Sequence, residues 1–106
     1  MAAIEQAPFT ESVEYFLWSA RHKASAREIS PEGLFISGDL QNEGTLLTIR
    51  LALPGGKAFT VLGRVSAVVL GGATRHRGMQ IAFVDIAPSD RSRIAQYVAE
   101  RCRNAA

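Results

Sequence analysis

One cysteine, Cys102, is all the thiol chemistry this 106-residue chain possesses. An intramolecular disulfide is thereby excluded, which fits a reducing, cytoplasmic setting. Histidine is almost as scarce. His22 and His76 sit between basic neighbours, in Arg21-His22-Lys23 and Arg75-His76-Arg77, and both segments read as solvated turns. Neither histidine has a partner at metal-ligand spacing, so no metal is expected. The carboxylates are scattered, no glycine-rich loop precedes a helix, and Cys102 reads as a buried small hydrophobe. No catalytic residue emerges, and the chain is not expected to be an enzyme.

Long apolar runs are missing too. The longest, Val65 to Leu70, is interrupted by Ser66 and falls far short of the ~20 residues a membrane-spanning helix needs. The first nine residues hold Glu5 and no cation, unlike a secretory signal. The net charge is only +2, with no dense basic stripe of the kind nucleic-acid binding uses. Membrane insertion and nucleic-acid binding are therefore not expected. A hydrophobic fraction of 47% against 21% charged residues is that of one globular domain, residues 1–106 with its core at about 10–103.

What the chain does have is alternation. In Ser12 to Ser19, Val13, Tyr15 and Leu17 share one side, and Glu14, Phe16 and Trp18 the other. Aromatics on both faces make Phe16 and Trp18 candidates for a partner surface, since exposed aromatic residues anchor interfaces well. Leu34-Phe35-Ile36 is a short strand entered through Ser30-Pro31-Glu32-Gly33. Leu47, Ile49, Leu51 and Leu53 alternate up to the turn Pro54-Gly55-Gly56-Lys57. Phe59, Val61, Val65, Ala67 and Val69 form one face of a longer strand, with Gly63 marking a bulge or bend. Met79, Ile81 and Phe83 make a last inward row, with Asp85 at its end. The period then changes to that of a helix from about Pro88 to Arg103, with Ile94, Tyr97, Val98 and Cys102 on one stripe. Five to six strands joined by loops too short for crossover helices imply antiparallel pairing. An antiparallel sheet this small manages its edges best as a closed barrel.

Glu28-x-Ser30-x-x-Gly33 reads on its own as a strand-entry turn that a ligand could approach, and gains specificity only with the motifs that follow it. Ser30 suits a tight turn or an external phosphate, and Gly33 permits a close backbone approach. Further along come Leu53-Pro54-Gly55-Gly56, Gly63-Arg64-Val65 and Gly78-Met79-Gln80-Ile81-Ala82-Phe83. In this order and spacing the chain resembles the PilZ family of bacterial cyclic di-GMP signalling domains. That resemblance implies a six-stranded antiparallel β-barrel with a C-terminal α-helix, in agreement with the periodicity. The family's ligand pattern is Arg-x-x-x-Arg followed by Asp/Asn-x-Ser-x-x-Gly. Ser30 and Gly33 match, but Glu28 replaces Asp or Asn and no Arg-x-x-x-Arg occurs upstream. The first twenty residues contain no Lys or Arg at all.

The lost arginines would have supplied charge-assisted hydrogen bonds of about 1.5–3 kcal/mol each. Cyclic di-GMP binding is therefore expected to be weak or absent, with no cofactor. The residues left for it are Ser30, Gly33, Arg27 and Arg21, the last two within a basic hairpin ahead of the turn. The resemblance implies a cytoplasmic adaptor whose partner is a bacterial signalling or motility protein, with homodimerisation left open. The alternative is a cyclic di-GMP receptor with an atypical site at those same residues.

Overall fold

The structure, a computed structural model, describes residues 6–72 and 77–104, the last three by backbone alone. His76 and the Cys102 side chain, both assigned roles from sequence, lie outside the described residues. Seven strands and one helix follow in order: β1 Ala7–Pro8, β2 Ser12–Leu17, β3 Ala20–Ser30, β4 Gly33–Ser37, β5 Leu46–Leu51, β6 Phe59–Val69, β7 Gly78–Asp85 and α1 Pro88–Asn104. Six of the strands close a barrel in the order β3-β2-β5-β6-β7-β4, sealed by β3–β4 pairing. Every pair is antiparallel, and the two-residue β1 adds to the free side of β3. Among the described residues no helix is long and apolar enough to cross a membrane.

The inward rows read from sequence build the core. Val13, Tyr15, Leu47, Ile49, Leu51, Val61, Val65, Met79 and Ile81 are all buried. The gap in the β6 row is filled from the neighbouring strand β7. A Cβ on Gly63 would lie 2.5 Å from Ile81 Cγ2, and the register shifts between Leu62 and Gly63, so the expected bulge is there. Helix α1 contacts β1 and β3 and buries Ile94 and Val98. Its first turn carries Asp90, where the helix dipole favours an anion.

Four sequence expectations need correction. Arg21-His22-Lys23 is not a turn, and the basic cluster is not a hairpin: all of it lies in β3, an 11-residue strand. The expected first strand ends at Leu17, and Trp18 is in the turn. In β6 a second register shift, between Val65 and Ala67, changes the inward face, so Val68 packs on the core in place of Ala67 and Val69. The core also begins earlier than residue 10, since Ala7 and Phe9 are buried in it.

Candidate functional site

Strand β3 connects the two ends of the barrel that carry the candidate residues. At its far end Ser30 pairs with Gly33 across a two-residue loop, Pro31-Glu32. The Ser30 hydroxyl accepts from the Glu32 N–H at 3.2 Å and donates to the Gly33 carbonyl at 3.4 Å. The Ser30 residue is only 6% exposed, so its polar capacity is turned into the loop. Gly33 is required by proximity: a Cβ there would sit 1.9 Å from the Ile81 carbonyl oxygen. The loop is fixed again from outside, by the Phe83 N–H donating to the Glu32 carbonyl at 2.8 Å and by Arg91 of α1 at 3.8 Å from the Glu32 carboxylate.

Arg27 and Glu28 lie next to this turn, where the β3–β4 register shifts, and both are exposed. With Gln6, Ala7 and Pro8 they line a shallow cleft of about 410 Å³. The segment beside them is held in place. β1 pairs with Glu28 and Ile29, the Phe9 N–H donates to the Arg27 carbonyl at 2.8 Å, and the Tyr97 hydroxyl donates to the Pro8 carbonyl at 3.2 Å. Phe9 meets the Tyr97 ring edge-on at 5.9 Å. Arg21 is elsewhere. Nine residues of strand separate it from Ser30, about 30 Å at the ordinary rise, and it pairs with Glu14 at 3.3 Å. Arg27, Ser30 and Gly33 thus share one end of the barrel, and Arg21 does not join them.

The opposite end carries Trp18 and Phe16. Leu17 pairs with Ala20, leaving Trp18-Ser19 as a two-residue loop. Trp18 is 95% exposed and has φ of 59°, an uncommon conformation for a bulky side chain. It lines a cleft of about 610 Å³ with Leu17, Gln41, Asn42, Thr45 and the exposed Leu46. Phe16 is half-buried on the outer face of β2, opposite Arg21 and Thr48.

Sequence reasoning missed the polar cluster beneath this end. His22 does not lie in a solvated turn; its ring stacks on Tyr15, with centroids 4.8 Å apart and planes at 8°. Its Nδ1 lies 3.2 Å from the Asp39 carboxylate. The fully buried Tyr15 donates to the Asp39 carbonyl at 2.8 Å and accepts from Gln41 Nε2 at 3.1 Å. Burial pushes the Tyr15 phenol above its ordinary pKa; the Gln41 bond opposes this and the Asp39 charge adds to it. The available signal was the pairing of Tyr15 with His22, visible only once β3 is recognised as a strand.

No protein-family model matches the chain, and neither does any curated protein. Solved structures do. The inhibitor of motility MotI/DgrA of Bacillus subtilis superposes with a TM-score of 0.84 at 18% identity, over 94% of this chain and 50% of that one. The PlzA protein of Borreliella burgdorferi, solved in complex with c-di-GMP, gives 0.66 at 13% identity, over 92% of this chain and 41% of its own. The PilZ domain of CeSA from a cellulose-synthesizing bacterium gives 0.62 at 17% identity, over 90% and 95%. This chain spans half or less of the length of the first two. Agreement over the whole barrel and its terminal helix shows that the chain has the PilZ-like fold.

Proposed function

We propose that this chain is a PilZ-type signalling domain that works through protein contacts and has little or no affinity for cyclic di-GMP. The signalling assignment takes support from the company its fold keeps, a motility inhibitor and a c-di-GMP complex. The observation that carries the protein-contact reading is Trp18, held in solvent at the tip of a tight hairpin with exposed Leu46 beside its cleft. Tryptophan is the residue type most enriched at interface hot spots. Against a nucleotide role, the Ser30 hydroxyl is engaged within its own turn and the β1 segment beside Glu28 supplies no arginine. The partner in this reading is a bacterial signalling or motility protein met in the cytoplasm, and the domain has no catalytic step.

Titration calorimetry with cyclic di-GMP tests the reading directly. No heat and no thermal shift at high micromolar ligand is expected. Micromolar binding abolished by Ser30→Ala would replace this reading with that of an atypical receptor. Capture of a defined partner by the wild type and its loss with Trp18→Ala and Phe16→Ala, both still folded, tests the surface. Undiminished capture by both variants would remove the surface assignment.

A further inference from the structure

The outer face of the barrel has an imbalance of charge unrelated to either hairpin. Glu14 of β2 lies directly opposite Lys23 on β3 and directly opposite Arg50 on β5. Its carboxylate is taken by a third cation, Arg21, at 3.3 Å. Among the described residues the side chains of Lys23 and Arg50 have no ion pair or hydrogen bond. Both are exposed and flank one central strand, about 10 Å apart by strand spacing. That is close to the ~8 Å Debye length at physiological salt, so their fields overlap along the surface between them.

These two cations rim a groove of about 630 Å³. Ser12, Ser25 and Ser37 lie along it in register on β2, β3 and β4. The Ser37 hydroxyl donates to the Ser25 carbonyl at 3.3 Å, whereas those of Ser12 and Ser25 have no partner among the described residues. Ala52 and Ala58 continue the lining beyond β5. The groove therefore has separated cations on its rim and hydroxyls with apolar methyls along its base.

We infer that this groove is a docking site for an extended, acidic peptide segment of a partner protein. The spacing of charge chooses the occupant. A phosphate group is best held by donors converging on one point, but the point between Lys23 and Arg50 is occupied by Glu14, which repels a compact dianion. An extended peptide instead places same-face carboxylates about 7 Å apart, within reach of two long side chains flanking the acid. The free hydroxyls suit its backbone carbonyls. The site is distinct from the Trp18 end, since Glu14, the groove residue of β2 nearest to it, is four residues and about 13 Å away along the strand, and it does not depend on that surface.

Fluorescence anisotropy with a fluorescein-labelled hexaglutamate peptide, and hexalysine as the opposite-charge control, tests this on the full chain. Saturable binding of hexaglutamate only is expected, weakened about tenfold or more by Lys23→Glu with Arg50→Glu and by the groove-filling Ser25→Trp. The same charge change placed outside the groove, Arg64→Glu with Arg101→Glu, is expected to leave affinity within about twofold. Amide NMR shifts on the unmodified chain, which need no variant to fold, should centre on residues 12, 25, 37 and 50–52. Absence of binding, equal loss in the control pair, survival of binding in a folded Ser25→Trp, or shifts centred elsewhere would each overturn the site. Tighter binding of inorganic tripolyphosphate than of hexaglutamate would overturn the peptide assignment.

Discussion

Two loops of equal length bound the same strand, and they are built in opposite ways. Trp18-Ser19 leads into β3 and Pro31-Glu32 leads out of it. The second is bonded on every side: the Ser30 hydroxyl within, Phe83 and Arg91 from without, and Gly33 against the Ile81 carbonyl. The first makes no hydrogen bond, ion pair or ring contact through its tryptophan among the described residues, and holds it in solvent at positive φ. A loop saturated by its own protein is built for stability. A loop that carries an unpartnered aromatic in a strained conformation is not spent on its own stability, and it is the loop that the proposed partner surface uses.

The sharpest way to break this contrast is Gly33→Ala. The added methyl would meet a carbonyl of the β7 backbone at 1.9 Å, and that oxygen cannot rotate away without disturbing the β4–β7 ladder. We expect a loss of about 3 kcal/mol or more, at the top of the range for overpacking. That is a large part of the 5–15 kcal/mol typical of a domain, and urea denaturation would register it. Trp18→Ala at the other loop should stay within about 0.5 kcal/mol of wild type. Similar costs at both loops would erase the distinction.

Next comes the polar cluster under the Trp18 end. Tyr15→Phe removes the hydroxyl of a buried side chain that bonds exposed Asp39 and partly buried Gln41, at a cost of about 1–2 kcal/mol. It should also change the alkaline limb of the stability profile. The folded-state pKa of Tyr15 is raised above its unfolded value of 10.0, so the neutral phenol favours the folded state. That contribution is complete below pH 10 and is lost as pH rises from there through the folded-state value. Thermal midpoints measured across this window should fall for wild type and less steeply for Tyr15→Phe. Ser30→Ala has a smaller effect, about 1 kcal/mol, because the Glu32 N–H it abandons borders solvent.

How much of this was legible beforehand follows from side-chain size. β5 and β7 were plain because Leu47, Ile49, Leu51, Met79 and Ile81 are large, buried and strictly alternating. β3 was hidden because its inward positions are His22, Ala24 and Ala26, which carry little apolar signal. The register shift at Arg27 then breaks its period before Ile29 restores it. Reading β3 as a basic hairpin put Arg21 near Ser30, when the strand holds them at opposite ends. The internal use of Ser30 was foreseeable, since a serine before Pro-Glu-Gly is a turn residue first. The charge imbalance around Glu14 was not, because it needs both the β2–β3 hairpin, hidden in the sequence, and the pairing of β2 with the distant β5.

The smallest predicted effect with a definite direction is also the most informative, because its sign is unusual. Trp18→Gly should stabilise the domain. Left-handed backbone costs an L-residue about 1–2 kcal/mol, and glycine is relieved of it. Glycine's greater freedom in the unfolded chain returns roughly 0.5–1 kcal/mol of that gain. The net expectation is a stabilisation of about 0.5–1 kcal/mol, a rise of a few degrees in thermal midpoint for a domain of this size. Trp18→Ala keeps the same backbone requirement and should show no such rise. If the proposed partner surface is correct, Trp18→Gly gains stability while losing partner capture, and Trp18→Ala loses capture alone. A glycine variant less stable than wild type would mean that the indole, exposed as it is, contributes packing to the hairpin. The contrast between the two loops would then be one of degree and not of kind.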